Sequence, residues 1–389
     1  MEYKHHLILR RVFLLALTFM FLLNGTTVNA ENHKKSRKKS PVFDFKIRLG
    51  SIYDDNILKY SEQYLERFMN REDEGRFHIK TYDDLIVLTG LQFTTSFYIF
   101  GKQKSQISLE TSRRNYVVNH IKNWNYFMAG IRQYLPGRFS FKVYYSYIPD
   151  FYVRHFRDDQ WVDVYGYDDP IVFQPFSFTK NMYGIWLQKY LFKKTRVRLS
   201  FGYAQYYHNK HYTEYDSKNL YYGFQLWQPL HKNVALEIGY QYITSDAKGY
   251  DASYQLPGAI DAPDATYAED RYTGAILWRL PRIRKIRHSL EGRINVMNRY
   301  YSSSRPLEFD RLHAGRVDHN LRLYFNYRIT VMKNMNIKVF YNWYGRNSGT
   351  SAVANDQFIS NEKSYRQNIV GMEFSYNLRI KTGQNKHRK

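Results

Sequence analysis

The chain has 389 residues, a net charge of +23, 38 Tyr, 26 Phe and no Cys, so a disulfide-stapled module and a Cys-ligated zinc or iron–sulfur centre are both excluded. Aromatic residues make up 18% of the sequence, far too many for a disordered polybasic chain, and a folded structure must hold those rings. A pI of ≈ 9.7 raises nucleic acid, anionic lipid and acidic sugars as partners, among which composition cannot choose.

Residues 1–30 begin with a basic stretch ending at Arg10 and Arg11, continue through an apolar run from Val12 to Leu23, and close on Val28-Asn29-Ala30. That order predicts a secretory signal peptide cleaved after Ala30, and the apolar run is too short to span a bilayer. With no Cys to follow, a lipid-anchored lipoprotein is excluded. Export also removes cytosolic nucleic acid from the partners. A basic segment, 31–40, and a basic tail, 381–389, bracket the remainder, 41–380, so much of the net charge is terminal.

No later stretch is long and apolar enough for a membrane helix; the pattern instead has period two. Leu321, Leu323, Phe325, Tyr327 and Ile329 oppose Arg322, Tyr324, Asn326, Arg328 and Thr330, and Ile337, Val339, Tyr341 and Trp343 oppose Lys338, Phe340 and Asn342. Such alternation predicts strands with one apolar and one polar face, about fourteen of them (twelve to sixteen). They are placed near 43–53, 84–100, 105–117, 121–134, 138–148, 173–190, 196–208, 217–228, 233–245, 269–280, 287–300, 317–331, 336–345 and 364–380.

The connections alternate too. Short turns fall at 101–104, 135–137, 192–195, 229–232, 281–286 and 332–335, whereas the others are mostly long, including 54–83, 149–172, 246–268, 301–316 and 346–363, with 118–120 the exception. Short turns on one rim and long loops on the other predict a single antiparallel up-and-down transmembrane β-barrel, with periplasmic turns and extracellular loops. A bilayer forbids an open sheet edge, so the sheet must close. The soluble alternative, a secreted sandwich or propeller, would show no such asymmetry of turns. Tyr pairs near the predicted strand ends, such as Tyr144-Tyr145, Tyr221-Tyr222 and Tyr300-Tyr301, suit a headgroup layer.

The opening strand ends in Gly50-Ser51-Ile52-Tyr53-Asp54-Asp55-Asn56, followed by an acidic loop and a strand starting at Tyr82-Asp83-Asp84. This resembles the first hairpin of Gram-negative outer-membrane β-barrel proteins of the porin superfamily, and the barrel pattern covers nearly the whole mature chain. The resemblance implies an outer-membrane location, contact with outer-membrane lipid and lipopolysaccharide, and insertion by the barrel-assembly machinery. Such barrels usually finish on an aromatic residue; here Phe374 and Tyr376 are followed by a polar tail to Lys389.

Charge is sorted by rim. Every short turn contains or borders Lys or Arg, including Lys102, Arg138, Lys193, Lys232, Arg284 and Lys333, and both basic ends belong to that side. Most of the 35 Asp and Glu residues lie in the long loops. A positive periplasmic rim would suit an anionic periplasmic partner, or simply a phosphate-rich headgroup surface. Asp158, Asp159, Asp163, Asp168 and Asp169 are a solvated acidic loop or a cation site, but their spacing lacks an ordered ligand pattern.

The polar phase should face the lumen. It carries Arg114, Lys142, Arg198, Arg279, Arg293, Arg322, Arg328, Lys338 and Arg379 against Glu110, Glu237, Glu291 and Glu373, an electropositive wall that would concentrate small anions and acidic oligosaccharides. The same long side chains can also close a narrow barrel, so an open and an obstructed lumen both remain. No Gly-x-Ser-x-Gly elbow, His-Glu-x-x-His pair or phosphate loop is present, and Asp310 with His313 after Ser302–Ser304 reads as chance clustering. The expectation is a porin-like channel for small anionic solutes, with no catalysis, metal or cofactor. The alternatives are a non-conducting barrel that acts as a surface or assembly component, and a lipid-modifying barrel enzyme. Oligomeric state is not legible.

Overall fold

The computed structural model describes residues 41–381, apart from residues 74, 100–102, 193, 253–254, 258–261 and 285. The signal peptide expected over 1–30, the basic segment 31–40 and all but the first residue of the basic tail lie outside the described residues. Lys381, placed in that tail by the sequence, pairs with Val42 and ends the last strand.

Alternation produces the strands. In β1 (Val42–Asp54) Phe45, Ile47 and Leu49 are exposed while Asp44, Lys46 and Arg48 share the opposite phase. Such a strand needs an apolar medium on one side only. Thirteen more follow: β2 (Asp84–Ile99), β3 (Gln103–Tyr116), β4 (Trp124–Leu135), β5 (Phe139–Arg157), β6 (Phe173–Leu191), β7 (Thr195–His208), β8 (Ser217–Pro229), β9 (Val234–Ala247), β10 (Tyr267–Arg279), β11 (Arg287–Tyr301), β12 (Arg316–Met332), β13 (Met335–Thr350) and β14 (Tyr365–Lys381). Each pairs antiparallel with its chain neighbours, and β1 pairs β14 from Val42↔Lys381 to Asp54↔Ile369, closing a fourteen-stranded barrel with no free edge. Leu91, Ile131, Ile276, Phe325 and Met372 are exposed on its outside. A soluble sandwich would bury such residues between its sheets, so the closed barrel with an apolar exterior replaces that alternative.

The six short connections join β2–β3, β4–β5, β6–β7, β8–β9, β10–β11 and β12–β13, all on the rim that also holds both ends of the barrel. The turn Pro136-Gly137-Arg138 illustrates the local cause. Gly137 (φ 68°) and Arg138 (φ 59°) both take left-handed backbone, which lets β4 reverse into β5 between Leu135 and Phe139.

Two strands outrun their predicted ends. β5 continues to Arg157 through register shifts at Ile148/Phe151 and Tyr152/Arg154, with Asp150 at φ 37°. The sequence placed 149 onward in a long loop, but two bulges carry the strand past Pro149-Asp150. β13 likewise continues to Thr350. Tyr144-Tyr145 therefore sits inside β5 rather than at its end; Tyr144 points inward over Gly184, where any Cβ would collide with its ring.

The long loops hold three helices. Helix α1 (Glu62–Met69) lies in the 55–83 connection, with Ser61 Oγ accepting from Tyr64 N at 3.2 Å to cap it. Helix α2 (Asp159–Tyr165) lies in the β5–β6 loop, and α3 (Val353–Lys363) in the β13–β14 loop, packed on β13. The 55–83 segment folds into the barrel. Ile57, Leu58, Tyr60, Tyr64 and Ile79 form one buried cluster with the inward residues Ile52, Ile86, Leu88, Tyr116 and Phe340 and with Tyr152 of β5. Each such side chain withdrawn from water contributes ~1.5–3 kcal/mol. The segment is therefore a packed plug, tied to β14 by Asn56 Nδ2 donating to the Arg366 carbonyl at 2.9 Å and by Gln367 Nε2 donating to the Asn56 carbonyl at 3.0 Å.

Candidate functional site

Inward polar residues on rigid strands build the wall. Arg48 of β1 reaches Glu110 of β3 at 2.6 Å, crossing Gly90 of the intervening strand, where a Cβ would come within 3.1 Å of the guanidinium. Arg293 holds Glu237 at 2.7 Å and Glu291 at 3.2 Å, and Lys338 meets Glu373 at 3.2 Å. All four glutamates singled out in the sequence are thus engaged by a base. Arg114 lies over the Trp124 ring at 5.0 Å, Arg322 over Tyr344 at 5.3 Å and Lys142 over Tyr144 at 5.5 Å. Arg328 is opposite Lys338 in the β12–β13 register.

Two of the sequence-derived residues stand apart from the wall. Arg379 is 64% exposed at the turn-side rim and pairs with Asp44 at 2.5 Å. Arg279 is exposed there too, its Nη1 donating to the Lys232 carbonyl at 3.4 Å. In the same inward phase, sequence reasoning missed Lys46 and Arg48, although both alternate with Phe45, Ile47 and Leu49. It also missed Arg132, Arg196, Arg299, Arg316 and Arg346. The first is masked by Gly130 and Gln133, which blur the alternation of β4.

Above this wall, beside the plug, lies a cavity of ≈ 840 Å³. It is lined by the far ends of β5–β13, by the plug and by α2 and α3. The bulges in β5 aim its outer third at the plug: Arg154 Nη2 donates to the Leu58 carbonyl at 2.6 Å, and its guanidinium lies 4.8 Å from the Tyr60 ring. Arg157 stacks on Tyr167 at 3.8 Å and on Phe173 at 4.6 Å. Across the cavity Arg299 lies 3.9 Å from Tyr267, Arg316 lies 4.6 Å from Tyr301, and Arg346 lies 5.1 Å from Tyr365. Most of these guanidiniums are also paired: Arg299 holds Glu269 at 2.8 Å, Arg316 holds Asp318 at 2.7 Å with Arg346 at 3.7 Å from the same carboxylate, and Arg157 meets Asp73 at 3.5 Å, so that among the described residues Arg154 alone of the five has no carboxylate partner.

The helices add charge. Arg67 of α1 meets Glu362 of α3 at 3.5 Å. Burial, together with the Arg316 and Arg154 charges, presses the neighbouring Lys363 ammonium down to about 7. Lys122, in the β3–β4 loop, donates to the Tyr152 carbonyl at 2.9 Å from a buried position, and burial presses its ammonium to about 7 as well.

Acidic loop residues have local tasks. Asp158 caps α2, accepting from Gln160 N at 2.9 Å, and also holds His211 at 2.6 Å; Asp169 caps the turn at Pro170–Val172. Among the described residues no group of three His, Asp or Glu side chains is placed to hold a metal. Asp310 takes His313 at 2.8 Å on one oxygen and the Ser303 hydroxyl at 2.7 Å on the other. Serine and histidine are thus both bound to the carboxylate rather than to each other, an arrangement that orders the loop and passes no proton from Ser303 to His313.

Glu214, in the short turn Thr213–Tyr215 on the cavity wall, is buried with Oε2 unpartnered, and burial pushes its carboxyl up to about 8, with Asp251 and Asp159 adding to the effect. Since the folded group holds its proton more tightly than the unfolded one, its stabilising contribution is complete below the ordinary 4.5 and is gone once the pH has risen through about 8. Amide protection across residues 209–216 should therefore fall over that window in the native chain and stay level in Glu214→Gln. Parallel pH profiles for the two proteins would show that the carboxylate ionises at no cost.

No known protein family matches the sequence, and no curated protein does. Among solved structures the chain is similar to a bacterial polysaccharide outer membrane secretin, at 8% identity and TM-score 0.44, over 86% of this chain and 98% of that one. It is similar to the outer membrane channel DcaP of Acinetobacter baumannii at 12% identity and TM-score 0.43, over 90% and 100%. It is also similar to OccD1 (OprD) at 8% identity and TM-score 0.39, over 89% and 98%. At these identities no residue of the site has a counterpart to be read across.

Proposed function

We propose that the chain is an outer-membrane channel that passes small anionic solutes, acidic oligosaccharides among them, without a catalytic step. The observation that carries this reading is the ≈ 840 Å³ cavity beside the plug, whose lining holds more Lys and Arg than Asp and Glu, with Arg154 lying on the Tyr60 ring without a carboxylate partner among the described residues. An excess of cations around a cavity draws anions in, and the rings offer faces on which sugars stack. The apolar exterior supports a bilayer setting, with lipid and lipopolysaccharide around it and the barrel-assembly machinery as the means of insertion.

A second reading is a non-conducting barrel that serves as a surface or assembly component; the buried core of the plug favours it. Its basic turn rim, with Lys104, Arg138, Lys194, Lys232 and Lys333, would then meet an anionic periplasmic partner. Planar-bilayer recording separates the two. Folded protein is expected to give discrete steps with a reversal potential on the anion side, and Arg322→Glu/Arg328→Glu should move that potential toward zero. Silence from correctly folded protein would hand the case to the second reading, and cation preference would sink the argument from wall charge.

A further inference from the structure

Low in the barrel, three to five residues from the short turns, Trp186 of β6 lies between two guanidiniums. Arg132 of β4 and Arg198 of β7 each stand 4.7 Å from its ring centroid. Between those strands, on β5, Lys142 is the register partner of both Arg132 and Trp186. None of the three bases has a carboxylate within ion-pair distance among the described residues. Arg132 Nη2 donates to Ser140 Oγ at 3.1 Å, Arg198 Nη2 donates to Gln188 Oε1 at 2.9 Å, and Lys142 reaches only Met128 Sδ at 3.7 Å. The Nε atoms of both arginines are buried without a partner.

Glu110 and Glu237 attract Lys142 and Arg198 only from beyond ion-pair distance, and both are committed to other bases. Glu110 is held by Arg48 at 2.6 Å, and Glu237 by Arg293 at 2.7 Å with Arg196 at 3.9 Å. Arg132, Lys142 and Arg198 repel one another across the wall. Aromatic faces offset part of that repulsion, since Arg132 also lies 4.4 Å from the Tyr134 ring. A ring 4.7 Å from both guanidiniums restrains the two side chains together, and planar N–H pairs are the groups suited to grip a tetrahedral oxyanion.

We propose that Arg132, Lys142 and Arg198, spaced by Trp186, form a binding site for a doubly charged phosphoryl group, separate from the cavity beside the plug. Three cations without a paired carboxylate, on rigid strands, match two negative charges better than one, so phosphate or a phosphate monoester is preferred to chloride. The proposal deepens the anion-channel reading but does not depend on conduction, because binding is measurable in a closed barrel.

The test is intrinsic tryptophan fluorescence of the folded protein in detergent, titrated with inorganic phosphate, with glycerol phosphate and with chloride. A saturable change with phosphate is expected, lost in Trp186→Phe and weakened by about tenfold or more in Arg132→Gln/Arg198→Gln. Heat-modifiable migration on gels certifies that each variant has folded, and calorimetric titration of phosphate into Trp186→Phe, where the arginines remain, should still register binding. Glycerol phosphate binding as tightly as the free ion identifies a terminal phosphoryl group as the ligand; preference for the free ion identifies inorganic phosphate. No saturable response in the native chain, equal affinity for chloride, or unchanged affinity in the double glutamine variant would overturn the site. Phosphate binding in a barrel that gives no conductance would sink the channel reading alone, whereas conductance with no phosphate response would sink only this one.

Discussion

Single-channel conductance is expected to rise several-fold when residues 57–79 are replaced by a short glycine–serine turn. Ile57, Leu58, Tyr60, Tyr64 and Ile79 occupy the lumen on the side of β1–β3 and β13, and α1 meets α3 through Arg67 and Glu362. Removing that mass leaves the wall intact, because β1 and β2 are paired over thirteen residues from Val42↔Ser96 to Asp54↔Asp84 without help from the plug. Closing a loop of different length costs little, of the order of 0.6 kcal/mol per doubling. The barrel should therefore still fold, as heat-modifiable migration would verify. An unchanged conductance from the folded variant would mean that the plug does not set the resistance, and the narrow section would have to lie lower, near Arg132 and Arg198.

The largest effect on stability is expected at Arg316. Its guanidinium holds Asp318 through two bonds, Nε at 2.7 Å and Nη2 at 2.8 Å, and Asp318 is 0% exposed. Ser348 Oγ donates to the same carboxylate at 2.7 Å, and Arg346 approaches it at 3.7 Å. In Arg316→Met the carboxylate keeps only those weaker partners in a buried place. Loss of one member of such a pair costs about 3–5 kcal/mol; Arg346 and Ser348 should hold this case near the lower figure. Urea unfolding in lipid would show a lowered midpoint at constant slope. Arg316→Met/Asp318→Leu should recover most of the loss, because no charge is then stranded. Equal destabilisation of the single and double variants would show that packing of the long arginine stem, rather than the charge pair, is what matters there.

Both results turn on contacts between residues far apart in the chain, and that divides what was legible from what was not. The period-two pattern in segments such as Leu321–Thr330 was enough to place strands, because a strand's faces are set by backbone geometry alone and every second residue declares its side. Turn positions were legible for the same local reason: Pro136-Gly137 and the two-residue reversal at Lys333-Asn334 need only neighbouring dihedrals. The extension of β5 past Pro149 was hidden, since Pro149-Asp150 suits the start of a loop as well as a bulge and only the partner strand β6 tells them apart.

Sequence by itself placed about fourteen strands, the alternation of short and long connections, and the polar phase of each strand; closure of the sheet fixed the number at fourteen. The tertiary structure decided what that polar phase amounts to. Arg48 and Glu110 lie 62 positions apart and Asp54 and Gln367 lie 313 apart, so no local pattern announces that they neutralise or anchor one another. The glutamates that looked like a diffuse counterweight to the arginines are each committed to a base, while Arg132, Lys142 and Arg198 are left without one. Apolar residues in 55–83, which a loop on the outer rim would have exposed, instead turn inward and fill part of the lumen. Closure of the barrel is the physical reason in each case: it brings β1 against β14 and gives the first long loop an interior to fold into.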